Sequence, residues 1–320
     1  MQQLDPNLIP GMIEPVERQL LRKLARDLSF ADGDCAVEFG AFFGKSTSFI
    51  AQGLAEQRSH VPKLYVYDSF GCDQLGSFQP VVIGFAESGG VLNLLREDSG
   101  RLDFFPIFCF YLKEKIDSGA VVPITAELAN SIPPSDSVIS LMHIDSPKMY
   151  VDFKPILFRF FPRLRVGGVI VFQDFFYHWS ATLIAVVGAL ARAGIIEFQE
   201  SAASSLVCVL RKAIDARMSA EIDLELSSDE RIIPLVDYAT AECRKLIMDR
   251  PETFLPRLQL AKVQWLMERG EGDKAAGVVR QFFQDGGMLN QAVLVDFIEL
   301  MSHSFSIDRL YRLDHQARSR

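Results

Sequence analysis

Apolar positions recur along the chain with two spacings, one helical and one extended. Val16, Leu20, Leu21, Leu24 and Leu28 fall three and four residues apart, which predicts an amphipathic helix over residues 14–28. The short run Cys35 to Phe39 reads as a buried strand, and helix and strand alternate from there. Ser46 to Ala55 is helical, Leu64 to Tyr67 is a strand ending at Asp68, and Val121 to Thr125 and Val138 to Ile144 are strands, the second ending at Asp145. A helix through Pro155 to Phe161, a strand Val169 to Phe172 ending at Gln173 and Asp174, and a helix Ala181 to Arg192 follow. Ile195 to Gln199 and Leu206 to Leu210 then stand too close together for a crossover and predict a hairpin. Five strand–helix units closed by a hairpin describe an α/β, doubly wound, Rossmann-like sheet with one antiparallel strand.

Two stretches break this rhythm. Residues 70–115 carry Gly89, Gly90 and the aromatic positions Phe104, Phe105, Phe108 and Phe110, too long a piece for an ordinary loop, and are expected to form a partly helical insertion covering a site. Between Glu221 and Glu230 five of ten residues are acidic, which predicts a linker over 214–228. The first domain then spans 1–213, and an all-α domain spans 229–320, with helical periodicity in 232–248, 254–267, 275–283 and 289–301. Leu258 to Phe283 faintly resembles a tetratricopeptide unit; a plain helical cap is the competing reading.

Composition narrows the partners. Hydrophobic residues at 49% and charged residues at 23% exclude disordered and fibrous readings of the whole chain. With 33 basic against 41 acidic side chains the net charge is -8, which repels phosphate backbones and anionic lipid, so no nucleic acid and no membrane partner is expected. Five well-separated cysteines without a CxxC pair, and an N-terminus without a basic, then apolar, leader, point to free thiols in the cytoplasm. The helical C-terminal domain is left as the surface for a second copy or a protein partner.

Chemistry concentrates in Val37-Glu38-Phe39-Gly40-Ala41-Phe42-Phe43-Gly44-Lys45-Ser46-Thr47. A phosphate-binding loop needs four residues between its first glycine and Gly-Lys-Ser, and only three stand here. A dinucleotide fingerprint needs glycine where Phe42 stands. The pattern E-x-G-x-x-x-G-x-S resembles motif I of class I S-adenosylmethionine-dependent methyltransferases, in the form found in the catechol and caffeoyl-CoA O-methyltransferase families. The resemblance covers roughly residues 14–212. It implies the class I methyltransferase fold, with Glu38 facing the methionine ammonium of S-adenosylmethionine, Gly40, Gly44 and Ser46 shaping the cofactor loop, and Asp68 accepting from both ribose hydroxyls.

A second constellation stands in Ile144-Asp145-Ser146-Pro147-Lys148 and in Gly167-Gly168-Val169-Ile170-Val171-Phe172-Gln173-Asp174. In the same families the fourth strand ends in D-x-x-K, which Asp145 and Lys148 match, and the fifth follows a Gly-Gly pair to end in Asp-Asn. The macrolide-sugar O-methyltransferases look similar there and end in Asp-Asp. Gln173 departs from both by replacing the acidic first position. The resemblance implies a small-molecule acceptor whose hydroxyl is methylated, with Lys148 as base and Mg²⁺ held by Asp145, Gln173 and Asp174, a site weakened by the neutral Gln173. His178, four residues after Asp174, is the other candidate for base or substrate contact, whereas His143, inside a strand, is expected to hydrogen-bond in the core. The alternatives to turnover are a cofactor-binding scaffold on this fold, which Gln173 favours, and a nucleotide hydrolase built on Gly44-Lys45-Ser46.

Overall fold

The computed structural model describes residues 5–57, 60–73, 76–98, 100–135, 137–147 and 149–303. Helix α1 (Pro15–Asp27) opens with proline at its first position and a capping box in which Glu14 and Glu17 each bind the other's end of the turn. Strand β1 (Asp34–Phe39) is buried along its whole length, and helix α2 (Lys45–Ala55) returns to the next strand, β2 (Lys63–Asp68). The insertion follows as β3 (Gly71–Asp73), α3 (Gln79–Ser88), β4 (Arg96–Asp98), β5 (Arg101–Asp103) and α4 (Phe105–Asp117). Its three strands form a small antiparallel sheet of their own, in the order β3-β5-β4.

The main sheet continues with β6 (Val121–Thr125), β7 (Val138–Ile144) and β8 (Leu164–Phe172). Between the last two lies α5 (Tyr150–Pro155), which widens into a π-turn over Ile156–Phe160. The helix expected over 155–161 therefore starts earlier, and Pro155, lacking an N–H, stands where its regular ladder ends. Helix α6 (Ala181–Arg192), with Ala181 to Leu190 buried throughout, leads to the hairpin β9 (Ile196–Ala202) and β10 (Ser205–Leu210). The seven strands run β6-β2-β1-β7-β8-β10-β9, with β10 antiparallel to both neighbours and the rest parallel. This is the doubly wound sheet read from the periodicity.

The acidic stretch expected as a linker is instead helix α7 (Ala216–Leu226), capped by Asp215, whose carboxylate accepts from the N–H of Met218. Counting charges hid an i, i+4, i+8 stripe: Ile222 and Leu226 are buried, and Met218 packs against the same core. Four further helices follow, α8 (Asp229–Cys243), α9 (Pro251–Glu268), α10 (Gly272–Gln284) and α11 (Gln291–His303). Leu235, Val236, Phe254 and Leu258 share one buried cluster with Phe172, Phe176 and Leu183 of the sheet layer. A Cβ on Gly188 of α6 would lie 2.3 Å from the carbonyl oxygen of Leu235, so α6 and α8 approach backbone to backbone. The C-terminal helices thus extend the core of the sheet domain, where composition had suggested a separate unit.

Candidate functional site

The carboxyl ends of β1, β2, β7 and β8 converge at one edge, the place where open α/β sheets bind ligands. After β1 the chain turns through Gly40 (φ 84°) and Gly44 (φ 91°), left-handed conformations that glycine adopts at no steric cost. A Cβ on Gly40 would also lie 2.7 Å from the backbone nitrogen of Ser146, and one on Gly44 would lie 2.4 Å from Leu112 of the insertion. Between them Phe42 stacks on Phe43 at 4.0 Å and meets Phe78, Phe85 and Phe104 edge-on. Aromatic side chains of the insertion thus pack against the loop after β1.

Glu38 does not face the loop. It is fully buried, with Oε2 accepting from the Thr47 hydroxyl at 2.5 Å and Oε1 standing 3.0 Å from Nδ1 of His143. Burial alone would lower the basicity of His143, but the Glu38 carboxylate outweighs it and holds the imidazole above its ordinary value of 6.5. Glu38 thus ties β1 to α2 and β7. His143 is the core hydrogen-bonder that its place in a strand suggested. Ser46 is buried in the first turn of α2.

Asp68 ends β2 and turns back toward the glycine loop. Its Oδ2 accepts from the N–H groups of Ala41 at 2.7 Å and Phe42 at 3.0 Å, and Oδ1 accepts from Phe70 at 2.7 Å. Burial raises its affinity for a proton, and the three N–H donors pull the other way without cancelling it. A carboxylate has about four acceptor positions, so one is left for a ligand.

On the other half of the edge, Asp145 donates its backbone N–H to Phe39 at 2.9 Å, and Asp174 adopts a left-handed φ of 58°. Gln173 joins a buried polar cluster. Its Nε2 donates to Glu17 Oε1 at 3.1 Å and its Oε1 accepts from the Ser205 hydroxyl at 2.6 Å. Ser204 donates to the same Glu17 oxygen at 2.8 Å, and the Ser205 hydroxyl oxygen also stands 2.8 Å from it. Glu17 is 1% exposed, and burial raises its pKa above the ordinary 4.5 despite these donors. Gln173 is thus held by Glu17, Ser204 and Ser205. Among the described residues no group of three or more His, Cys, Asp or Glu side chains could hold a metal ion. The donor set proposed for Mg²⁺ does not fit one. Lys148, the proposed base, lies outside the described residues.

The C-terminal helices close over this half. Phe254 of α9 packs on Phe176 at 5.1 Å, Arg250 donates to Glu14 at the start of α1 at 2.9 Å, and Arg257 lies over the Tyr177 ring at 4.8 Å. His178 is buried, with Nδ1 4.0 Å from Oδ1 of Asp296 in α11.

Residues 37–175, from β1 to the loop after β8, match the family model described as a methyltransferase domain. That stretch, less than half of the chain, is similar to a methyltransferase domain. Gly44-Lys45-Ser46 lies inside the matched stretch, at the start of α2. Among solved structures the chain is similar to the O-methyltransferase NovP, with 16% identity over 63% of this chain and 82% of that one at a TM-score of 0.45. It is also similar to CalS11, a TDP-rhamnose 3'-O-methyltransferase, with 16% identity over 62% and 78% at 0.38. A third similar structure is PaMTH1 of Podospora anserina bound to SAH, with 14% identity over 63% and 80% at 0.41. No curated protein matches the chain. No described helix of the chain is long and apolar enough to cross a membrane.

Sequence reading missed Glu17, Thr47, Ser204, Ser205, Arg257 and Asp296. Only Glu17 carried a signal, an acidic residue set three and four positions before Leu20 and Leu21 on the apolar face of α1.

Proposed function

We propose that this chain transfers a methyl group from S-adenosylmethionine to a hydroxyl of a small molecule, a catechol-like or sugar diol, without a metal ion held by Gln173. The observation that carries the reading is Asp68, a half-buried carboxylate at the end of β2 that holds the N–H groups of Ala41 and Phe42 in the glycine loop and keeps one acceptor position open. That position suits one ribose hydroxyl, where the resemblance implied two. Gly40 and Gly44 keep the loop against Ser146 and the insertion, and Ser46 stands in the first turn of α2, whose N–H groups favour an anionic group such as a carboxylate. When bound, S-adenosylmethionine supplies an electrophilic methyl on a sulfonium.

The chain's own task is to orient the acceptor and take its proton, because an unionised hydroxyl is a weak nucleophile. Asp145 and Asp174, at the ends of adjacent strands, are the acceptors offered to a diol. His178, on the loop after β8, is the base whose place is described, and Lys148 is the candidate from the loop after β7. Gln173, the departure that favoured a scaffold without turnover, is accounted for by its bonds to Glu17 and Ser205, so nothing specific favours that alternative.

The test is transfer of tritiated methyl from S-adenosylmethionine to a panel of catechols and sugar diols, with and without EDTA. Label moving into an acceptor at the same rate in EDTA is the expected result. Cofactor binding with no transfer to any hydroxyl would leave a binding protein instead, and loss of transfer in EDTA would restore the metal.

A further inference from the structure

Asp296 lies far from the sheet domain in sequence and close to it in space. Its side chain is 10% exposed, on α11, and Arg257 of α9 neutralises it asymmetrically. Nε of Arg257 meets Oδ2 at 2.6 Å, whereas Nη2 reaches Oδ1 at a long 3.4 Å. Oδ1, the less committed oxygen, is the one that faces Nδ1 of His178 at 4.0 Å. The imidazole is 6% exposed and wedged edge-on against Trp179 at 5.0 Å, and Trp179 stacks on Tyr177 at 4.1 Å. Arg257 in turn lies over the Tyr177 ring at 4.8 Å, so α9 and α11 grip the loop after β8 through charge and ring contacts together.

We propose that Asp296 is a positioning residue for His178: its carboxylate selects the imidazole tautomer with the proton on Nδ1 and leaves Nε2 as the nitrogen that accepts a proton. The inference rests on the reading of this edge as a methyl-transfer site. A neutral imidazole has one donor and one acceptor nitrogen, and a carboxylate on one side settles which is which. The 4.0 Å separation exceeds a hydrogen bond, and contacts of this kind tighten when the reacting complex forms. On this account the C-terminal helices belong to the catalytic apparatus, because they hold in place the group that orients the base.

The wild-type chain tests this directly, labelled with ¹⁵N-histidine and read by long-range ¹H–¹⁵N correlation above the titration range of its imidazoles. The chain has five histidines, and His178→Gln assigns the signal. The Nδ1–H form of His178 should exceed the Nε2–H form roughly tenfold. Asp296→Asn should abolish that excess and Asp296→Glu should restore it, a pattern that a purely mechanical clamp would not produce. An Nε2–H form in the wild type, or an unchanged ratio in a folded Asp296→Asn, would overturn the proposal. If Asp296→Asn fails to fold, the wild-type tautomer alone decides. Calorimetry with S-adenosylhomocysteine keeps the two claims apart: wild type that does not bind it overturns the methyltransferase reading, whatever the tautomer shows.

Discussion

On the β1–β2 side of the carboxyl edge, Glu38 and Asp68 are met by groups close to them in the chain or one strand away: the Thr47 hydroxyl, the His143 imidazole, and the N–H groups of Ala41, Phe42 and Phe70. On the β8 side the partners come from afar. Gln173 is held by Glu17, 156 positions earlier, and His178 faces Asp296 of the last described helix. The same problem, a buried polar group that must be hydrogen-bonded or paired, has a local solution on one half and a long-range one on the other. A loop solved locally fits into a short motif, whereas a half solved at long range depends on the whole chain.

Removing the long-range half breaks that comparison most severely. A chain ending at Lys212 strips Leu235, Val236, Phe254 and Leu258, each at most 1% exposed, from the cluster they share with α6 and β8. At roughly 1.5–3 kcal/mol for each buried side chain, the loss rivals a total stability of about 5–15 kcal/mol. The truncated chain should be insoluble or lack a cooperative melt. A soluble fragment with a sharp melt would reinstate two independent domains.

The local half is tested next by His143→Leu, which leaves the fully buried Glu38 carboxylate facing an apolar side chain. Breaking a buried pair in this way costs about 3–5 kcal/mol. Urea denaturation should show that loss, and a change below about 1 kcal/mol would mean that Glu38 is satisfied without His143.

The smallest expected effect is a pH dependence carried by Glu17. Its folded pKa lies above the ordinary 4.5, so the folded chain binds this proton more tightly than the unfolded chain does. Its contribution is therefore fully present below 4.5 and is lost as pH rises through the folded value. Glu17→Gln cannot ionise, so the stability of the variant relative to wild type should rise across that window. Parallel urea midpoints over the same range would show that Glu17 does not titrate differently in the two states.

The same division explains what was legible in the sequence. The strands at 35–39, 64–67, 121–125, 138–144 and 169–172 were readable because buried parallel strands leave short apolar runs, and β1, β2, β6, β7 and β8 coincide with or enclose them. The glycine loop and Asp68 were readable because their partners lie within the motif or at the next strand end. The partners of Glu38 were not readable because spacing places a carboxylate beside a glycine turn but cannot show that Thr47 and His143 meet it. The 214–228 region was misjudged because its acidic count masked the stripe of Met218, Ile222 and Leu226. Asp296, one carboxylate inside the apolar run Val293 to Ile298, had nothing in its own segment to name His178 or Arg257 as its neighbours.

Calorimetric titration of S-adenosylhomocysteine into the wild type and into Asp68→Ala tests the central claim most directly, because Asp68 both braces the glycine loop and offers the open acceptor position. The wild type should bind one equivalent. The variant forfeits a charge-assisted hydrogen bond of about 1.5–3 kcal/mol and should bind at least roughly tenfold more weakly. Equal affinity in the two proteins, or no binding by the wild type, would contradict the assignment of this edge to the cofactor of a methyltransferase.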